Sequence, residues 1–409
     1  MAEYSKVLCK ILPTLGKSVF IVIDALDECS SEDRDDFLVE LRKLPVRLFC
    51  TTRDIPEIIY LFQGDAAQLS VDNQVEATKG DIKIYLESEM KKRATLAALK
   101  ESNPGLAADI VRVINEKADG MFLLARLHLE SVVPQISTPK EISNALQSLP
   151  KDINKTYDVA IIRAKAQGEA RYELAKKILT WVTYARRPLT VRELQYSISR
   201  GSTIVGATEE TAGDDSLPSQ EVMISVCVGL VNYEEESKQL RLVHYTAQEY
   251  FLKNPDVLSA DANAELAISC VNYLISQSIP LNDKWDPDQA YPWGWEFPEA
   301  THPFLSYAAQ YWYWHARHGS TEELKFLVTR FLEDTSKIRL ALSWASTLLP
   351  EDGNFRISKW QPGDFMPLLV AAACGLPAIV EAQLQAGVDV SIETSLGESA
   401  LILAARFGH

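Results

Sequence analysis

The chain has 409 residues, 47% of them hydrophobic and 24% charged, with a net charge of −15. That length exceeds one ordinary core and implies about two to four domains, while the acidic balance argues against broad electrostatic binding to nucleic acid or an anionic membrane. No apolar run reaches membrane-span length and the N-terminus carries no apolar secretory segment, so a cytoplasmic protein with no membrane partner is expected. The six cysteines are scattered without a C-x-x-C pair, which reads as reduced thiols and not as a disulfide frame or zinc site.

In chain order, residues 4–12 read as a helix and LGKS (15–18) as a tight turn. VFIVIDAL (19–26) is a short apolar run rich in β-branched residues, expected to be a strand buried on both faces as in a parallel sheet. Phe37, Leu38, Leu41 and Leu44 then share one helical face, and RLFCTTRD (47–54) reads as a second buried strand. Strand, helix and strand in this length make a βαβ unit. From about residue 77 the pattern turns helical, with Ile82, Tyr85, Leu86 and Met90 on one face. Further helices follow over about 106–115 and 120–132. Residues 157–183 are again helical, and Thr190 with Glu193 has the spacing of a capping box opening the next helix. Residues 201–219 are polar and acidic, hence a loop. GLVNYEEESKQLRLVHY alternates apolar and polar on both sides of EEESK, a β-hairpin, with a helix at AQEYFL behind it. Residues 260–340 are helical and aromatic. HPFLSYAAQYWYWHARH reads as packing between stacked helices, ahead of a cofactor or base-stacking site. At the tail, MPLLVAAACG (366–375) recurs as SALILAARFG (399–408) at an offset of 33 residues, the ankyrin period.

Which residues carry chemistry? A hydrophobic strand ending in Asp24 places a carboxylate at the sheet's C-terminal edge, where open α/β sheets bind ligands. Asp24 is placed to hold magnesium, directly or through water, and Glu28 or Asp27 to orient a water toward a phosphate. Thr51, Thr52 and Arg53 end the next strand and can read a terminal phosphate. The alternative is a helix N-terminus decorated with acids, which are favourable there anyway. LGKS fails as a phosphate loop. The first glycine of G-x-x-x-x-G-K-[ST] would be residue 11, which is Ile11, and Pro13 follows. No strand precedes the motif and no helix follows it. His244 ends a hairpin strand, where a packing or capping role is commoner than a ligand role. His315 and His318 stand three apart but lack a third metal ligand.

Together these segments resemble the signal-transduction NTPases with a NACHT domain, specifically the fungal NLR-like proteins that end in ankyrin repeats. FIVIDALDEC resembles their Walker B strand and LFCTTRDIPEI their sensor 1 segment. KADGMFLLARLHLESV is similar to the helix after the NTPase core. ILTWVTYARRPLTVRELQYSIS through LVHYTAQEYFL resembles a winged-helix domain of the GPI inositol-deacylase type. HPFLSYAAQYWYWHAR resembles the helix leading into the ankyrin array. The implied fold is mostly α, with a partial α/β P-loop-type NTPase remnant (residues 1–72, without Walker A), then a helical lid (73–150), winged helix (151–254), helical arm (255–350) and ankyrin start (364–409). The resemblance implies magnesium at Asp24, an acidic catalytic pair at Asp27 and Glu28, phosphate sensing at Arg53, and contact of His244 with the phosphates of ADP.

The resemblance also implies ATP/ADP switching, protein ligands for the repeats and a homo-oligomer on activation. It places the missing Walker A strand between the two strands that remain, and both ends of the chain read as truncated. The first expectation is therefore a signalling and interaction protein, not an enzyme as this chain and without a cofactor of its own. The second is an ATP/ADP-driven switch in a full-length product. A third, DNA binding through the winged helix, requires a basic recognition helix near Arg186, Arg187 and Arg192. Against it, Glu234, Glu235 and Glu236 on the hairpin would face phosphate.

Overall fold

The protein is represented by a computed structural model that describes residues 2–15, 18–24, 26, 31–52, 75–133, 138–200, 217–276, 302–348 and 360–409. The chain is mostly helical, with one two-stranded and one three-stranded sheet. It divides into two compact units, residues 1–74 and 75–409.

In the first unit, helix α1 (Ala2–Ile11) runs into a 3-10 turn (Leu12–Leu15). Strand β1 (Phe20–Ile23), helix α2 (Ser31–Leu41) and strand β2 (Arg47–Cys50) follow. The strands pair in parallel with Phe20 opposite Arg47 and Ile23 opposite Cys50. Two expectations change here. The strands pair with each other directly, so no strand lies between them; consecutive strands of a βαβ unit satisfy each other's backbone groups this way. Nor are they buried on both faces. Ile21, Ile23, Leu48 and Cys50 pack toward Leu26, Leu38, Leu41 and Leu44, while Phe20, Val22 and Phe49 on the other face are more than half exposed. Strand side chains alternate between faces, and among the described residues helical packing covers only one of them.

The second unit begins with five helices: α3 (Val75–Lys92), α4 (Ala94–Ser102), α5 (Pro104–Ala118), α6 (Phe122–Val132) and α7 (Pro139–Ser148). Of the predicted face, Ile82, Leu86 and Met90 are buried and Tyr85 packs at their edge. These three are spaced by four residues, so one stripe of α3 meets Ile110 and Ile114 of α5 and Leu124 and Leu129 of α6. Asn103 caps α5 by accepting from the Leu106 N–H, and Thr138 caps α7 through the Glu141 N–H.

Next come α8 (Ile153–Ala166) and α9 (Glu169–Tyr184). One helix was expected over this stretch; it breaks at Gln167–Gly168, where Gly168 takes φ +97°. Strand β3 (Leu189–Thr190), α10 (Val191–Arg200), α11 (Gln220–Val226), the hairpin β4 (Val231–Glu234) and β5 (Gln239–Leu242), and α12 (Tyr245–Lys253) follow. The sheet order is β3-β5-β4, all antiparallel. The hairpin stands where alternation placed it, and the Thr190–Glu193 capping box is formed in both directions.

The chain continues with α13 (Ala262–Ser276), α14 (Leu305–His318), α15 (Glu322–Glu333) and α16 (Thr335–Leu348). The aromatic run is core. Phe304, Tyr307 and Trp312 are fully buried, and Trp181 of α9 meets Phe304 and Tyr307 edge-on at 5.4 and 5.6 Å. Finally α17 (Pro367–Cys374), α18 (Pro377–Gln385) and α19 (Ala400–Arg406) carry the 33-residue repeat. Both copies end on a left-handed glycine, Gly375 at φ +64° and Gly408 at φ +74°, the conformation that closes a helix without a Cβ penalty. Leu368 of the first copy is 2% exposed beneath the second, whereas its equivalent Leu401 is 80% exposed.

Candidate functional site

The carboxylate expected at the edge of the first unit's sheet is there. Asp24 follows β1 directly, is exposed, and accepts a short hydrogen bond from the Thr51 hydroxyl at the end of β2. The backbone holds the pair in register: the Thr51 N–H donates to the Ile23 carbonyl and the Leu26 N–H to the Thr51 carbonyl, both at 2.9 Å. Parallel pairing thus brings both strand ends to one edge. Asp27, Glu28 and Arg53 lie outside the described residues, as do Gly16 and Lys17 of the LGKS turn.

His244 lies in a different setting, in the second unit. It is the N-cap of α12, and its Nδ1 accepts from the Thr246 N–H at 3.3 Å. That acceptance fixes the ring proton on Nε2 in the neutral form. The Thr246 hydroxyl lies 2.9 Å from Nδ1 and 2.8 Å from the Tyr157 hydroxyl of α8. Tyr157 packs on Tyr250 at 5.2 Å, and Tyr250 donates to Asp158 at 2.6 Å. The capping role expected of His244 is therefore observed, and α8 holds the cap in place.

The same histidine lines a cleft of about 480 Å³ with Tyr85, Glu89, Arg93, Phe122, Leu123, Arg126, Glu130 and Val243. Arg93 is fixed between two carboxylates, donating to Glu130 at 2.6 Å and to Glu89 at 3.3 Å. Burial alone would lower the Arg93 pKa, but Glu130 and Glu89 raise it above its ordinary value. Burial likewise opposes the charge on Glu89, yet Lys92 and Arg93 hold its pKa below the usual carboxylate range. Arg163 of α8 is pushed down by burial, with the Glu130 charge offsetting part of that. Glu130 is thus the acidic hub of the cleft wall. Its Cγ sits 3.1 Å from where a Cβ on Gly229 would lie, and Gly229 itself has φ +90°. A side chain at Gly229 would be strained by that φ and would press on the Glu130 side chain.

Arg126 is the cationic group of the cleft that makes no hydrogen bond or ion pair among the described residues. Tyr85 and Phe122 form an edge-on pair at 6.0 Å, and burial raises the Tyr85 pKa, with Glu89 adding to the effect. One cleft therefore brings together an aromatic surface, an uncommitted guanidinium and an imidazole ring. That set suits a ligand with a planar ring and an anionic end.

The arginines expected beside a recognition helix are used differently. Arg186 lies over the Trp314 ring at 4.4 Å, and its N–H donates to the Tyr307 hydroxyl at 2.9 Å. Arg187 grips Glu193 at 2.5 and 3.1 Å and lies over the Tyr307 ring. Arg192 lies over Tyr196 at 5.9 Å. The helix that directly precedes the hairpin is α11, whose sequence QEVMISV has no basic residue. These contacts engage Arg186, Arg187 and Arg192 within the fold.

One helix, a short strand, two helices and a hairpin, closed as a three-stranded sheet, is the order of a winged helix. Residues 162–269 match the family model of the GPI inositol-deacylase winged helix domain. The winged-helix domain so delimited includes His244, Gly229 and the first part of α13. No curated protein and no solved structure matches the chain.

Sequence reading found His244 but missed its company. Glu89 and Arg93 carry a signal, the i, i+4 spacing of a helix ion pair. Glu130 stands 37 residues from Arg93, and nothing in the local sequence joins them. Among the described residues no cluster of three or more metal-ligating side chains is present, and no helix is long and apolar enough to cross a membrane.

Proposed function

We propose that this chain is a non-hydrolysing signalling and interaction module of the NACHT, winged-helix and ankyrin type, in which the cleft at His244 receives the phosphate end of ADP or ATP. The observation that carries the reading is the sharing of one cleft by His244, the uncommitted Arg126 and the ion-paired Arg93. An anion entering there gains Arg126 beside the His244 ring, and it competes with Glu130 and Glu89 for Arg93. Ligand binding then changes the contacts between the lid helices and the winged helix, which is what a two-state switch requires.

Two further features support the reading. The chain before LGKS is a helix and a 3-10 turn, not the strand from which a phosphate loop springs. That weighs against LGKS as a phosphate loop, while Asp24 beside Thr51 supports a magnesium-side edge. Helices α17 and α19 repeat at the ankyrin period, and α18 and α19 present exposed apolar side chains such as Leu384, Leu401 and Ile402, a surface suited to protein ligands. The acidic hairpin and the α11 sequence weigh against DNA.

The test uses calorimetric titration of the intact chain with magnesium and ADP, alongside phosphate release from ATP. ADP should bind, and Arg126→Ala and His244→Ala should each weaken it by about tenfold, the size of one charge-assisted hydrogen bond. ATP turnover should stay at background and be indifferent to Asp24→Ala. Unaltered ADP affinity in both cleft variants, or turnover abolished by Asp24→Ala, overturns the reading.

A further inference from the structure

An anion that takes Arg93 must displace the two carboxylates that hold it. Glu89 keeps a second cation, since Lys92 donates to it at 3.1 Å. Glu130 is held by Arg93 alone, at 2.6 Å, and the two side chains are only 27% and 26% exposed. A carboxylate stripped of its cation in so dry a place is costly, because water recovers only part of the lost attraction. Arg163 of α8 supplies what Glu130 would need. Helices α6 and α8 pack through Leu127, Tyr157, Ala160 and Ile161. Glu130 stands three residues after Leu127, and Arg163 three after Ala160, each beside that contact. Among the described residues Arg163 makes no hydrogen bond or ion pair, and Glu130 is the charge that acts on it against its burial. A half-buried guanidinium without a partner is itself unfavourable. Glu130 therefore lies between two arginines and holds one of them.

We propose that Arg163 is the reserve partner of Glu130: it receives the carboxylate when an anion takes Arg93, and so sets how tightly the cleft holds that anion. The identity of the anion rests on the nucleotide reading; the exchange of partners does not. Arg163 is a positioning residue, since it lines no part of the cleft and acts on the ligand through Glu130 and Arg93. The exchange also has a direction. Glu130 leaves a partner between α3 and α4 for one on α8, within the residues that match the winged-helix family model. Occupancy of the cleft is thereby passed to the winged helix as a change of ion pair. If the anion instead binds beside an intact Arg93–Glu130 pair, Arg163 has no part in affinity.

Two experiments test this. The first is a crystal structure of the intact chain carrying Arg93→Met, which removes the present partner without any ligand. Glu130 should then lie within about 4 Å of the Arg163 guanidinium. The second is calorimetric titration of the intact chain with magnesium and ADP. Arg163→Met should weaken ADP binding by about tenfold, the size of one charge-assisted pair, and Arg163→Lys should recover part of that loss. In a Glu130→Gln background there is no carboxylate to hand over, so Arg163→Met should change the affinity by less than about twofold. A merely structural Arg163 would weaken binding equally in both backgrounds. Glu130 remaining apart from Arg163 in the Arg93→Met structure, unaltered ADP affinity in Arg163→Met, or an equal loss in the Glu130→Gln background overturns the proposal. If the unaltered chain binds no ADP, the nucleotide reading falls, and the Arg93→Met structure still decides the exchange.

Discussion

His315 and His128 are the histidines whose pKa burial depresses most among the described residues. His315 is fully buried in α14, with Nε2 at 2.9 Å from the Tyr307 hydroxyl and Nδ1 at 3.0 Å from Asn263 Oδ1. Because the amide oxygen can only accept, Nδ1 carries the proton, the Tyr307 O–H donates to Nε2, and the Arg186 N–H completes the chain. Burial pushes the His315 pKa down to about 3, with the Arg186 and His318 charges adding to it. His128 of α6 is pushed to about 4 by burial and then by Lys117, which the Pro150 backbone offsets only in part. The sign follows from linkage. Both folded pKa values lie below the unfolded value of about 6.5, so the stabilisation is complete above that pH and is lost as pH falls toward 4. Each pH unit crossed in that window removes about 1.4 kcal/mol per histidine. The unfolding midpoint in urea, followed by tryptophan fluorescence, should therefore fall clearly between pH 7 and pH 5. An unchanged midpoint over that range would show that neither histidine is held neutral.

At the scale of elements, the start of α10 joins a cap to an ion pair. Thr190 and Glu193 cap each other, and Glu193 also holds Arg187, which lies over Tyr307. Thr190→Ala removes a cap and should cost about 1 kcal/mol. Glu193→Ala removes the cap and leaves Arg187 without its carboxylate, and should cost roughly 2–4 kcal/mol. Denaturant titration of both variants checks the order, and equal losses would mean that the ion pair contributes nothing. This cap was legible in the sequence because its signal is local, and so was the hairpin around EEESK. Helix α11 was not. EVMISVCVGLV is β-branched and apolar and carries no helical periodicity to mark its seven helical residues; Ser219 before Gln220 is its one start signal. The two strands of the first unit were found, but their one-sided burial was not, because FIVI contains no polar residue to mark an exposed face. The ion pair of Arg93 with Glu130 escaped for a different reason: a contact across 37 residues is made by packing, which no local pattern encodes.

Among the described residues of 75–409 the apolar side chains form two clusters of unequal reach. Helices α3 to α7 have their own. The other runs without a break from Leu127 through the winged-helix domain and α13 to α16 into α17 and α19. Several contacts show why the winged helix is not self-contained. The Ser269 hydroxyl of α13 donates to the Ser197 carbonyl of α10 at 2.5 Å, inside the core. Tyr273 of α13 meets Tyr196 edge-on at 6.4 Å, and Trp181 of α9 is covered by Phe304 and Tyr307. The family model agrees in extent, since it continues past α12 to residue 269 within α13. A fragment of residues 151–254 keeps every strand and helix of the wing but uncovers Trp181, Leu194 and Ile198, which are buried in the whole chain. Uncovering even two large side chains forfeits roughly 3–6 kcal/mol, a large part of the 5–15 kcal/mol that holds an ordinary domain together. That fragment should therefore bind a hydrophobic dye and unfold without a cooperative transition. A fragment of residues 151–409 should melt in a single step, with the same midpoint by circular dichroism and by tryptophan fluorescence. A cooperative, dye-silent 151–254 fragment would show that the wing needs no cover from α13 and α14.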